Sequence, residues 1–223
     1  VNPYEKELAA LKRSGRYRER RIFDDAVTDL ASNDYLGLAE TPELFEAACE
    51  RVAREKAHAA KASMLVNGYH PIHRDFEEAL CEANGFEAGI VMGSGFNANI
   101  AMIEALVRRG DELFADEKYH ASGLLAAKLV EGKVTFFPHN DTETLVRQLE
   151  ASPAKRKVIA VEGIYSMDGD LMAPEIFEIA DRFDALLIVD EAHSSGVVGP
   201  NLLGVFDRYG IAPKPNHIKM GTL

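Results

Sequence analysis

Leu186-Leu187-Ile188-Val189-Asp190-Glu191-Ala192-His193 decides how this chain is read. Four aliphatic residues in a row suit a strand covered on both faces, and the carboxylate that follows marks where the strand meets polar surroundings. Working outward, apolar segments of the same kind recur at Val158 to Glu162, Val134 to Phe137, Leu113 to Ala115 and Gly89 to Met92, and strand-like residues return from His217 to Leu223. Between them lie segments with helical spacing: Phe96 to Gly110, Ala121 to Val130, Thr142 to Ala151 and Pro174 to Phe183. Strands alternating with helices of about 10 to 15 residues predict an α/β fold in three layers, a mainly parallel sheet with helices on both faces.

Upstream the pattern changes. Residues 3 to 20 read as a surface helix with Leu8 and Leu11 turned inward and Arg16, Arg18, Arg20 and Arg21 near its end, followed by a β-like stretch from Val27 to Leu30. Thr41 and Pro42 open a further helix, in which Leu44, Ala48 and Val52 form a stripe that reads as core. The segment His70 to Asn84 carries Ile72, Phe76, Leu80 and Ala83 on one helical face and ends at Gly85, a C-cap residue. The division expected is an N-terminal helix and arm, residues 1–40, and a large α/β domain, residues 41–223.

Of the 223 residues 47% are hydrophobic and 27% charged, and the formal net charge is −11. That apolar fraction excludes a disordered acidic chain, and no run approaches the roughly 18 residues of a membrane span. The negative balance argues against nucleic acid as a partner. Cys49 and Cys81 lack metal-site spacing and read as small buried hydrophobes in a reducing compartment. Residues 1–21 lack the apolar core of a signal peptide, so the expected location is cytoplasmic.

In open parallel sheets ligands sit beyond the carboxyl ends of the strands. Ser94, Gly95, Phe96, His120, Ser166, Asp190, His193 and Thr222 are therefore predicted to face one crevice. Gly93-Ser94-Gly95, ahead of a helix, is either a phosphate cradle of free backbone N–H groups or a bare glycine turn. It is not a dinucleotide fingerprint, because Ala98 stands where the third glycine belongs. Asp190 at a strand end is costly unless a cation or donor meets it, and a pyridinium N–H, a metal or a ribose would each serve. His120 taken alone reads more often as a satisfied structural histidine. No metal-ligand spacing, Ser/His/Asp triad or G-x-S-x-G elbow is present.

Seven ordered segments together resemble the α-oxoamine synthases: Ser32-Asn33-Asp34-Tyr35-Leu36-Gly37-Leu38, Gly93 to Asn99, Tyr119 to Ser122, His139-Asn140-Asp141, Glu162 to Asp170, Val189 to Pro200, and Gly221-Thr222-Leu223. The resemblance implies the large domain of a pyridoxal-phosphate-dependent transferase that joins an amino acid to an acyl-CoA or other acyl thioester with loss of carbon dioxide. Alanine and a pimeloyl thioester are the substrates expected, with glycine or serine enzymes as alternatives, in a homodimer with a shared active site. It further implies that His120 stacks on the cofactor ring, Asp190 pairs with the pyridine nitrogen, and Ser166 and His193 meet the phenolic oxygen. Groups around Ser94, Gly95 and Phe96, with Thr222, would hold the phosphate, and Asn33 the substrate carboxylate. The family's cofactor lysine is expected two positions after Leu223, with a small C-terminal domain to follow. Lys219 precedes the motif and is not given that role. Ala62-Ser63-Met64 replaces the Gly-Ser-Arg of many members. A non-catalytic partner subunit is the alternative of another class; a nicotinamide dehydrogenase is disfavoured by the failed fingerprint.

Overall fold

The computed structural model describes residues 2–24 and 26–222. The chain divides into two compact units, Val1–Asn33 and Asp34–Leu223. In the first, α1 spans Glu5–Arg13, with Glu5 and Glu7 in its first turn and Lys12 and Arg13 in its last, matching the helix dipole. It is shorter than the helix expected over 3 to 20: Ser14 leaves the helix and Gly15 turns to φ +67°. Contrary to expectation Leu8 and Leu11 are 38% and 37% exposed, and Val27 to Leu30 forms no strand.

The second unit runs α2 Pro42–Ala53, α3 Pro71–Asn84, α4 Gly95–Leu106, β1 Glu112–Asp116, α5 Ala121–Ala126, β2 Lys133–Phe137, α6 Thr142–Ala151, β3 Lys157–Glu162, α7 Glu175–Arg182, β4 Leu186–Asp190, α8 Val205–Tyr209 and β5 His217–Met220. Helix ends follow local chemistry. His70 Nδ1 accepts from the Ile72 N–H at the start of α3, whose far end is Gly85 in the left-handed conformation, and Asp141 Oδ1 accepts from the Thr144 N–H at the start of α6.

The five strands pair in the order β2-β1-β3-β4-β5, all parallel. Side chains along them alternate between two cores. Phe114, Ile159, Val161, Leu187 and Val189 pack with Leu145 and Leu149 of α6, Ile176 and Phe177 of α7 and Val205 of α8. Leu113, Ala115, Val158, Ala160 and Ile188 pack with Ile103 of α4 and Ala126 of α5 on the opposite face. The expected three layers follow: α4 and α5 on one side of the sheet, α6, α7 and α8 on the other.

Four expectations fail here for physical reasons. Gly89 to Met92 joins no ladder: Ile90 is 82% exposed and the Val91 N–H donates to the Glu77 carboxylate. The stripe on α2 is not core, since that helix buries no residue and Phe45 is 72% exposed; Cys49 is likewise exposed and Cys81 only half-buried. The helix expected over Ala121 to Val130 stops at Ala126. An unexpected element, α8, is too short to show periodicity and is anchored by the buried Glu191 carboxylate, which accepts the Val205 N–H. No described helix is long and apolar enough to cross a membrane.

Candidate functional site

Three strands end in a carboxylate: Asp116 on β1, Glu162 on β3 and Asp190 on β4, and all three side chains are buried. Glu162 is in direct register with Asp190, and Asp190 with Met220. Because alternate residues face opposite sides, Glu162 and Asp190 point toward the α4 and α5 layer, and Asp116 toward the other.

Asp190 is held from that layer. Asn99 of α4 donates from Nδ2 to Asp190 Oδ2 at 2.7 Å and to Ser122 Oγ at 3.0 Å, while the Tyr119 hydroxyl donates to Asn99 Oδ1 at 3.0 Å. Ser122 Oγ lies 2.7 Å from His120 Nδ1, and the Ala192 N–H donates to Asp190 Oδ1 at 3.0 Å. Burial pushes the Asp190 carboxyl above the ordinary range, opposed by the Asn99 and Ala192 donors and by the nearby His120 and His193.

Glu162 Oε2 accepts the Ser166 N–H at 2.9 Å, while its buried Oε1 has no hydrogen-bond partner among the described residues. Burial, and behind it the Asp190 charge, raises this carboxyl to about 7. His193 Nδ1 lies 2.6 Å from the Tyr35 hydroxyl. At the start of α4, Ser94 Oγ accepts the Asn97 N–H, and a Cβ on Gly95 would lie 2.4 Å from Thr222 Cγ2. The backbone therefore approaches Thr222 as only glycine permits.

On the other face Asp116 accepts from the Tyr165 hydroxyl and the Asn140 N–H, both at 2.9 Å, and lies 3.1 Å from His139 Nδ1. His139 Nε2 lies 2.8 Å from Asp170 Oδ2. Asp168 completes a close group with His139 and Asp170 and is ion-paired to Lys118. Both His139 nitrogens lie against carboxylates, so the group is joined as an ion-pair network.

Of the residues expected to converge, Asp190 and His120 are bridged by Asn99 and Ser122, Ser166 hangs from the Glu162 beside Asp190, and Gly95 abuts Thr222. Ser94 serves as a helix cap, and Phe96 is 45% exposed. Asn33 belongs to the first unit and is described with it. Lys219 Nζ donates to Asn84 Oδ1 and to the Leu203 carbonyl, both at 2.6 Å, which fits a structural lysine. Sequence reasoning gave no role to Asn99, Ser122, Glu162 or Tyr35. The available signal was a polar residue inside the apolar stretch of α4 and a carboxylate closing a buried strand.

Residues 25–223 match the family model of aminotransferase class I and II, and the chain belongs to that family. Its similarities fall among the α-oxoamine synthases, as the motifs implied. The chain is 44% identical over 221 residues to an 8-amino-7-oxononanoate synthase of Helicobacter pylori, an alignment covering 98% of this chain and 59% of the relative. It is 41% identical over 232 residues to that of Herminiimonas arsenicoxydans, covering 97% and 59%. Among solved structures it is similar to a serine palmitoyltransferase from S. paucimobilis with bound PLP–myriocin aldimine, with TM-score 0.83 and 27% identity over 99% of this chain and 59% of that one. The 8-amino-7-oxononanoate synthase of Francisella tularensis gives TM-score 0.67 and 28% identity over 84% and 52%. The chain thus spans less than two thirds of the length of these relatives.

Proposed function

We propose that the protein acts as an 8-amino-7-oxononanoate synthase: a pyridoxal-phosphate-dependent acyltransferase joining L-alanine to a pimeloyl thioester, with release of carbon dioxide and an α-aminoketone. The observation that carries the proposal is Asp190, a buried strand-end carboxylate aimed by Asn99 and linked through Ser122 to His120. The residues fit the cofactor. The burial that raises Asp190 would be offset by a ring N–H, Glu162 Oε1 is a buried acceptor without a partner among the described residues, and Gly95 offers close backbone approach at a helix N-terminus.

In this reading Asp190 holds a proton on the pyridine nitrogen, and the Asn99 amide and Ala192 N–H keep its carboxylate aimed. His120 would lie against the ring face. Ser166 and His193 would meet the phenolic oxygen, with the Tyr35 hydroxyl at 2.6 Å fixing the His193 ring. The first-turn N–H groups at Gly95 and Phe96, where the dipole of α4 favours an anion, hold the phosphate with Ser94 and the Thr222 hydroxyl. Pyridoxal phosphate, when bound, supplies an electron sink for negative charge developing at the amino acid's α-carbon.

The same proposal includes a cytoplasmic homodimer, built of an arm over residues 1–40 and a large domain over 41–223. The uncovered apolar side of α2, with Leu44 and Phe45, supports a second copy as partner. The test is an assay of the full-length protein with alanine, glycine and serine against pimeloyl, acetyl and palmitoyl thioesters. Fastest turnover is expected with alanine and pimeloyl. Preference for glycine and acetyl, or cofactor capture without turnover on any pair, would replace the proposal with a glycine acyltransferase or a non-catalytic subunit.

A further inference from the structure

The bridge between Asp190 and His120 has a direction. Asn99 Oδ1 can only accept, so the Tyr119 hydroxyl must be its donor. The two Asn99 amide hydrogens are then spent on Asp190 Oδ2 and Ser122 Oγ. Turning the amide over would set its carbonyl oxygen against the Asp190 carboxylate, so the orientation is fixed. Ser122 Oγ, having accepted from Asn99, has its own hydrogen left for His120 Nδ1 at 2.7 Å, and the Ser122 backbone N–H reaches the same nitrogen at 3.3 Å. A ring nitrogen that receives two donors carries no hydrogen. Asn99 and Ser122 are fully buried, and Tyr119 and Asp190 nearly so, which leaves water no place as a substitute partner.

We infer that Asn99 and Ser122 are positioning residues that lock His120 in its Nε2–H tautomer and couple it, through one directional chain of hydrogen bonds, to Asp190. The assignment rests on the reading above only in taking His120 and Asp190 to face the cofactor ring. Burial raises the Tyr119 hydroxyl far above its ordinary range, which keeps the first donor of the chain protonated. His120 Nε2 makes no hydrogen bond among the described residues, so its N–H is the group the ring has left to offer a ligand. Asparagine suits position 99 for a specific reason. Aspartate would set a second carboxylate against Asp190, and leucine would leave the Tyr119 hydroxyl without its acceptor and take from Ser122 Oγ and Asp190 Oδ2 the donor that Asn99 supplies.

The test is nitrogen-15 NMR of histidine-labelled full-length protein, with and without pyridoxal phosphate, the His120 signals being assigned by their loss in His120→Gln. The expected result is an unprotonated Nδ1 and a protonated Nε2 in both samples. Ser122→Ala should raise the population of the Nδ1–H form about fivefold, the factor that one ordinary hydrogen bond carries, and Ser122→Thr should restore the wild-type pattern. A hydrogen on Nδ1 in the wild type overturns the inference, as does a tautomer ratio indifferent to Ser122→Ala. If Ser122→Ala does not fold, the wild-type spectrum alone decides. Failure to bind pyridoxal phosphate would sink the functional reading while leaving the tautomer of the cofactor-free protein as stated, so the two failures are distinguishable.

Discussion

Glu162 and Asp190 stand side by side at the carboxyl ends of adjacent parallel strands, in direct register and only 2% and 3% exposed. Two carboxyls so placed cannot both ionise cheaply. Burial, and for Glu162 the Asp190 charge as well, raises both above the ordinary range, Glu162 to about 7. Asp190 has the better donors, Asn99 and Ala192, so it keeps its charge while Glu162 gives way.

Stability is therefore expected to fall as pH rises across Glu162. The native carboxyl takes its proton near 7 and the unfolded one near 4.5, so between these values the native state binds more protons and loses stability with rising pH. The full effect is about 3 kcal/mol. Glu162→Gln should flatten that slope in urea titrations run from acid to neutral pH; an unchanged slope would remove Glu162 as its source.

The opposite face adds a decline of the same sign, from an imidazole in place of a carboxyl. Burial works against the His139 charge, but Asp170 and Asp116 outweigh it and raise the imidazole above its ordinary 6.5. The stabilisation is complete below the unfolded value and is lost as pH climbs through the raised folded one. His139→Gln should remove this alkaline decline in midpoint, with little effect on cofactor absorbance; a proton-independent midpoint in the wild type would contradict the ion-pair reading.

Much of this architecture was legible from residues alone because the signals were strong and local. Apolar runs placed the central strands, Gly85 and Thr41-Pro42 placed helix ends, and Leu186 to Asp190 emerges with the boundaries its sequence predicts. What failed needed partners that sequence does not show. Gly89 to Met92 has strand composition but no neighbour to pair with among the described residues, and the stripe on α2 has helical spacing but no covering layer. The candidate site was half legible: Asp190 and His120 follow from the strand-end rule, whereas Asn99 is given meaning only by the long-range contact that joins them.

Gly204 is held at φ +85°, and a Cβ there would come within 2.0 Å of Glu191 Oε2, the carboxylate that anchors α8. Gly204→Ala should cost about 3 kcal/mol from backbone strain and overpacking together. Gly210→Ala, at φ +65° with nothing within 4 Å, isolates the backbone part and should cost about 1 kcal/mol. Equal losses in denaturant titrations would refute the close packing around Glu191.

Asp190→Ala should separate capture from turnover. The phosphate contacts proposed at Gly95 and Thr222 would be untouched, so affinity for pyridoxal phosphate should drop within about tenfold. Turnover should fall by about a hundredfold to a thousandfold, the loss typical when a charge-stabilising partner is removed. Equal losses in both would place Asp190 in general folding instead of at the ring.

The most direct measurement is a crystal structure of the full-length protein with pyridoxal phosphate. The pyridine nitrogen should lie about 2.7 to 2.9 Å from the Asp190 carboxylate, with the ring against His120 and the phosphate at Gly95 and Thr222. A ring bound elsewhere, with Asp190 still held by Asn99 and Ala192 alone, would contradict the account.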